Sequence, residues 1–284
     1  MKIEKIAAFS DGLKGGNPAG VAIVDVLPDP DTMKRVAVEV GFSETVFAAP
    51  QDGGWRVRYF APEAEVPFCG HATIALGAAL ALRHGDRVFS LTLNDAAITV
   101  EGFRTGPNLA AALQSPPTRS KPAAENLIAD ALSLFNLSGE FPDSRLAPAI
   151  IEAGARHLLL ALDSRSRLAG MRYDQSVGAA LMREAGLATI MLIYTESPSV
   201  FHVRNAFASG GVYEDPATGA AAVALAGYLR EIGWPHSNSI KIFQGDDMGI
   251  PSRLNVDIPA PAGSSVRVFG TTRIMAEQET EAAS

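Results

Sequence analysis

Two stretches of this 284-residue sequence have no charged face. "GHATIALGAALAL" runs from Gly70 to Leu82 without Asp, Glu, Lys or Arg, and "GAAAVALAGYL" runs from Gly219 to Leu229 in the same way. Each is long enough for a helix, and each ends in an arginine, Arg83 or Arg230. Both are shorter than the ~20 apolar residues needed to span a bilayer. A helix that is apolar all round has to be buried, so each half of the chain is expected to hold one inside its core. Each is also preceded by an acidic turn, "PEAEVPFCGHAT" or "YEDPATG". The echo admits either a duplicated unit or two unrelated halves.

The surrounding sequence supplies strands to wrap them. "KIEKIAAF" and "AGVAIVDV" alternate as strands around the turn "GLKGGNPAG", and "SETVFAAP", "WRVRYFAP", "RVFSLTL" and "AAITVEG" continue the pattern. "PDPDTMKRVAVEVG" reads as a helix capped by Asp29 or Asp31, with Pro30 in its first turn and Gly41 ending it. "QSPPTRSKPAA" (114–124), with three prolines, reads as a linker. After it come a helix near 123–135, strands at "APAIIEAG" and "HLLLALD", a helix at "DQSVGAALMREAG" and strands at "ATIMLIYT" and "FHVRNAF". "SIKIFQG", "RLNVDIP" and "SVRVFGTTRIM" close the fold, and the tail "AEQETEAAS" is expected to fray.

Several function classes start low. With 47% hydrophobic residues the chain can fill a large core, while its net charge of −7 and lack of a basic run argue against nucleic acid and anionic membranes as partners. The N-terminus lacks an apolar signal core, and one cysteine cannot form an internal disulfide, so a cytoplasmic protein is expected. There is no phosphate-loop motif, no H-E-x-x-H and no cysteine cluster; His71, His84, His157, His202 and His236 lack metal-ligand spacing. No metal and no cofactor are expected.

What remains is two helix starts after polar turns. Their unpaired backbone N–H groups and positive dipole end suit a carboxylate, and Gly70 and Gly219 either permit close ligand approach or merely tight packing. Cys69 is either a thiol activated by the helix start or a small buried filler. A racemase using two thiols is unavailable to a chain with one cysteine, so proton transfer falls to carboxylate or imidazole. A thiol nucleophile with His71 as its base is disfavoured, because residues two apart on a helix do not face each other. Glu44 interrupts the apolar run of Phe42, Val46 and Phe47. It is either an exposed strand start or a buried carboxyl with a raised pKa, as a proton shuttle requires. Asp215 either caps the following helix or serves the site, and His71 is either packed or a ligand contact.

Five motifs occur in order: "GNPAGVAIV" (16–24), "SETVF" (43–47), "FAPEAEVPFCGHAT" (60–73), "EDPATGAAA" (214–222) and "QGDDMGIPSRL" (244–254). Over nearly the whole chain this set resembles the phenazine-biosynthesis PhzF-like family of the diaminopimelate-epimerase-like superfamily. The resemblance implies an α+β fold of two similar lobes, each a mostly antiparallel sheet rolled around a central helix. The lobes would span 1–115 and 123–265, with a strand near 266–276 returning to the first. It implies a cofactor-free isomerase or epimerase that moves a proton on a small carboxylic acid, bound where both helix starts converge, and a homodimer. By the same resemblance Glu44, His71 and Asp215 are catalytic, with Asn17, Gly70, Gly219 and Ala220 at the substrate. Ala220 and Ile250 stand where the family commonly has serine and arginine, so the resemblance does not carry the phenazine-pathway substrate over to this chain. A metabolite-binding protein without catalysis, or a thiol enzyme using Cys69, are the alternatives.

Overall fold

The computed structural model describes residues 1–137 and 143–276, which leaves most of the C-terminal tail outside the described residues. It divides into two compact units, Met1–Gln114 with Phe269–Ser284, and Ser115–Val268. Each is α+β, and each wraps strands around one of the two apolar helices.

The first unit opens with β1 (Glu4–Ala8), β2 (Asn17–Ile23), helix α1 (Pro30–Val40), β3 (Thr45–Gln51) and β4 (Gly54–Phe60). The two-residue β5 (Glu65–Val66) leads to α2 (Gly70–His84), then β6 (Arg87–Thr92), β7 (Ala97–Thr105) and β8 (Asn108–Gln114). Pairing runs β1–β2–β3–β4–β6–β7–β8, antiparallel except for β2–β3 and β4–β6. The C-terminal strand Arg267–Ile274 pairs with both β1 and β8 and closes the ring. Helix α2 fills this barrel: every residue from Ala72 to Ala81 is buried. Its small side chains are a packing requirement. A Cβ on Gly102 of β7 would lie 2.2 Å from the carbonyl oxygen of Gly77 in α2, so helix and strand meet backbone to backbone. On the outside, α1 packs Met33 and Ala37 against Phe47 and Phe60. Asp29 caps it by accepting from the Thr32 N–H, and Gly41 ends it in the left-handed region.

The second unit begins inside the segment expected to be a linker. Arg119–Pro122 form β9, which pairs antiparallel with β10 (Ala149–Glu152). Proline at the end of a strand removes one donor without breaking the pairing before it. Helix α3 (Glu125–Leu134) lies between them in sequence; β11 (Arg156–Leu162), α4 (Arg165–Ala169), α5 (Gln175–Glu184), β12 (Thr189–Ser197) and β13 (Val200–Ala206) follow. The short α4, capped by Ser164, falls in a stretch without a clear sequence signal. Then come β14 (Glu214–Asp215), α6 (Gly219–Glu231), β15 (Ser239–Gln244) and β16 (Ser252–Asp257). Leu158, Leu160, Leu162, Ile190 and Leu192 face α3, α4 and α5. By strand alternation the intervening residues face the other way, where α6 packs on β9, β10, β11 and β16. Gly227 of α6 is held small by Thr118, whose Cβ would lie 2.4 Å from an added Cβ.

Two buried polar arrangements brace this unit. Arg204 donates from Nε to Glu214 (2.9 Å), makes a second contact to the same carboxylate, and donates to the Ala169 carbonyl (2.8 Å). Deeper, Thr189 donates to Asn205 Oδ1 (3.0 Å) and so accepts from His157 Nδ1 (2.7 Å). That leaves His157 Nε2 buried without a hydrogen-bond partner, and burial pushes the imidazole pKa down to about 4.

Candidate active site

In the first unit the chain brings three reactive side chains together at the start of α2. Glu44 lies in the turn just before β3, and its carbonyl accepts from the Gly20 N–H of β2 (3.2 Å). Gly20 allows this close approach: a Cβ there would sit 2.7 Å from Thr45 Oγ1. Glu44 Oε2 reaches to 3.4 Å from His71 Nε2, the two side chains being 18% and 10% exposed. The oxygen is buried, and among the described residues it has no hydrogen-bond partner of good geometry. It therefore sits at an ion-pair distance from the imidazole with its acceptor capacity unspent.

Beside the same ring, Cys69 Sγ lies 3.4 Å from His71 Nδ1 and 3.9 Å from Nε2. This corrects the expectation that residues 69 and 71 face apart. That rule holds inside a helix, whereas Cys69 is the N-cap, with extended backbone (φ −142°, ψ 116°) that swings its side chain back toward the first turn. Glu44, Cys69 and His71 thus each place one donor atom within 4.8 Å of the others.

The helix start itself stays open. Cys69 makes no side-chain cap, and its carbonyl accepts both the Thr73 N–H (3.0 Å) and the Thr73 hydroxyl (2.7 Å). Thr73 is in turn paired with the phenol of buried Tyr59 (2.7 Å), whose pKa is raised by burial. This chain anchors the turn from behind and leaves the first amides of α2 without a side-chain cap. A Cβ at Gly70 would meet nothing nearer than Phe68 Cε1 at 3.9 Å, so packing does not demand glycine there. Asn17, at the start of β2, is buried opposite Ala8 of β1.

Asp215, Gly219 and Ala220 belong to the second unit. Asp215 Oδ2 accepts from the Thr218 hydroxyl (2.6 Å), while Thr218, the N-cap of α6, gives that helix no side-chain cap. Gln244, at the end of β15, staples the turn: its amide nitrogen donates to the Asp215 carbonyl (2.7 Å) and to Thr218 Oγ1 (3.1 Å), and its oxygen accepts from the Thr218 N–H (3.2 Å). The two apolar helices therefore both begin without a side-chain cap, whereas α1, α4 and α5 are capped by Asp29, Ser164 and Asp174. Sequence reasoning missed Gln244, Thr218, Tyr59 and Thr73. Gln244 opens the motif "QGDDMGIPSRL", which is the one signal that pointed to it.

A strand-wrapped helix in each unit, open at its start, is the diaminopimelate-epimerase-like architecture. A hydroxyproline epimerase from Agrobacterium vitis, solved with trans-4-hydroxy-L-proline, shares the fold at TM-score 0.62 and 11% identity, over 96% of this chain and 89% of that one. Within that class the chain belongs to the phenazine biosynthesis-like (PhzC–PhzF) family, whose model matches residues 6–278. It is 31% identical to the trans-2,3-dihydro-3-hydroxyanthranilate isomerase of Pseudomonas aeruginosa over 285 residues, 96% of each chain. A PhzF-family phenazine biosynthesis protein of Bacillus anthracis superposes at TM-score 0.84 with 22% identity, over 97% of this chain and 98% of that one. The protein is an enzyme of the isomerase and epimerase class. No helix among the described residues is long and apolar enough to cross a membrane.

Proposed function

We propose that this enzyme moves a proton on a small carboxylic-acid metabolite without a cofactor, with Glu44 as the acid/base. The observation that carries the reading is Glu44 Oε2, buried and short of hydrogen bonds, 3.4 Å from His71 Nε2 beside an uncapped helix start. A carboxylate so placed takes a proton from carbon next to an activating group and returns it elsewhere on the same molecule. His71 orients the substrate and relays the proton. The amides at Gly70 and His71 receive the substrate's carboxylate and stabilise charge that develops during transfer.

In the second unit, by family resemblance, Asp215 is catalytic and Gly219 and Ala220 offer a second set of open amides; in the first unit, Asn17 lines the substrate. The Pseudomonas relative, named a trans-2,3-dihydro-3-hydroxyanthranilate isomerase, supports a small carboxylate-bearing substrate. With Ala220 and Ile250 in place of the family's serine and arginine, a different member of that class is the substrate.

The test is a screen of small amino and hydroxy acids for solvent-deuterium incorporation, run on the wild-type chain and on Glu44→Gln. Incorporation that needs Glu44 supports the reading. Equal incorporation by the variant removes Glu44 from its role.

A second reading has one specific observation behind it, the 3.4 Å contact from Cys69 Sγ to His71 Nδ1. It makes the thiol the proton acceptor and His71 its partner. Under that reading Cys69→Ala, not Glu44→Gln, abolishes exchange.

A further inference from the structure

The start of α2 carries a donor set that proton transfer alone does not require. A carboxylate, a thiol and an imidazole arrive from two separate segments, the turn before β3 and the α2 N-cap turn, and their donor atoms lie within 4.8 Å of one another. Taken through Nε2, the separations are 3.4 Å to Glu44 Oε2 and 3.9 Å to Cys69 Sγ. A tetrahedral zinc ion with ordinary bond lengths holds nitrogen and oxygen donors about 3.4 Å apart and nitrogen and sulfur donors about 3.6 Å apart. The first distance already matches; Cys69 Sγ, now 3.4 Å from Nδ1, has to swing away from that nitrogen toward Nε2 by rotation about its χ1 to complete the set.

Two further features favour a cation. Glu44 Oε2 is buried with an unspent lone pair, and no Lys or Arg among the described residues forms an ion pair with Glu44. A thiolate and a carboxylate together balance a divalent charge, and the imidazole adds a neutral ligand. Three protein ligands leave a fourth position open to water or a substrate oxygen.

We propose that Glu44, Cys69 and His71 form a binding site for a thiophilic divalent cation of the zinc type, and that occupancy silences the enzyme. The silencing rests on the isomerase reading above: a divalent cation on Glu44 lowers the basicity of its carboxylate and occupies Nε2 of His71, so neither remains an effective proton acceptor. Metal binding itself does not depend on that reading.

The experiment titrates Co²⁺ alone into the full chain and reads absorbance. Binding at this site produces a thiolate-to-cobalt charge-transfer band in the near ultraviolet, saturating at one ion per chain, which Zn²⁺ then displaces. Cys69→Ser loses the band, and Glu44→Gln, which leaves the thiol in place, weakens zinc binding by more than about tenfold in competition with a chromophoric chelator. Circular dichroism of both variants establishes that they are folded. A wild-type chain with no charge-transfer band, or a band that survives in Cys69→Ser, overturns the proposal. Because the readout is absorbance rather than turnover, a failed isomerase assay leaves this result intact, and the reverse holds too.

Discussion

The two apolar helices are built alike and equipped differently. α2 and α6 are each buried over ten residues, each begins at a glycine, and neither receives a side-chain cap. At α2 the turn carries His71, with Cys69 and Glu44 against its ring. At α6 the turn carries Asp215, Thr218 and Gln244, already engaged with one another through hydrogen bonds of 2.6 to 3.2 Å. The first start keeps acceptor capacity in reserve, and the second uses its side chains to hold the turn. Under the proposed function, the first start offers a carboxylate able to take a proton, and the second presents amides from a turn that its own side chains hold.

The largest expected effect breaks this asymmetry directly. Glu44→Gln keeps the size of the side chain and removes its ability to carry a proton, so turnover falls by about 10²–10⁴-fold, as expected for a general acid/base. The loss appears in kcat with thermal stability unchanged. A drop smaller than about tenfold, or about 1.4 kcal/mol, would be too little for the main acid/base.

The second expected effect is confined to the second unit and concerns stability. His157 has its pKa depressed to about 4 from a reference of 6.5, so between those values the unfolded chain binds a proton that the folded chain refuses. Stability from this group is complete above pH 6.5 and is lost as pH falls toward 4, by on the order of 3 kcal/mol. Urea unfolding at pH 7.5 and at pH 5 measures it. His157→Gln flattens the dependence, and an unchanged pH slope in that variant assigns the titration elsewhere.

Packing tests follow. Gly102→Ala forces a Cβ onto the Gly77 carbonyl and costs about 1–3 kcal/mol, because both partners are backbone. Gly227→Ala meets Thr118 Cβ at 2.4 Å, an atom whose position the backbone fixes, and costs a similar amount. Thermal melts of the two variants measure it, and a variant as stable as the wild type contradicts the close approach at that glycine.

The smallest expected effect is that of Cys69→Ala. It retains turnover within about tenfold, that is within about 1.4 kcal/mol of transition-state free energy. Loss of all activity in a folded variant moves the acid/base role to the thiol.

The sequence by itself determined the parts whose physics is local. An uncharged run of alanine, glycine and leucine cannot be stable at a surface, so both core helices were legible before any tertiary contact was known. Asp29, Pro30 and Gly41 marked the ends of α1 because capping involves residues a few positions apart. Glu44 stood out as a charge among apolar neighbours. Tertiary structure decided what depends on distant residues meeting. The 114–124 segment read as linker because prolines dominate it, yet β10 supplies strand partners that local pattern does not show. Gln244 lies 29 residues from Asp215, and Tyr59 lies 14 from Thr73, so neither bond leaves a periodic trace. The meeting of Cys69 with His71 was misjudged for the same reason. It depends on an extended N-cap that turns the thiol back toward the His71 ring, a property of the folded chain rather than of residue spacing.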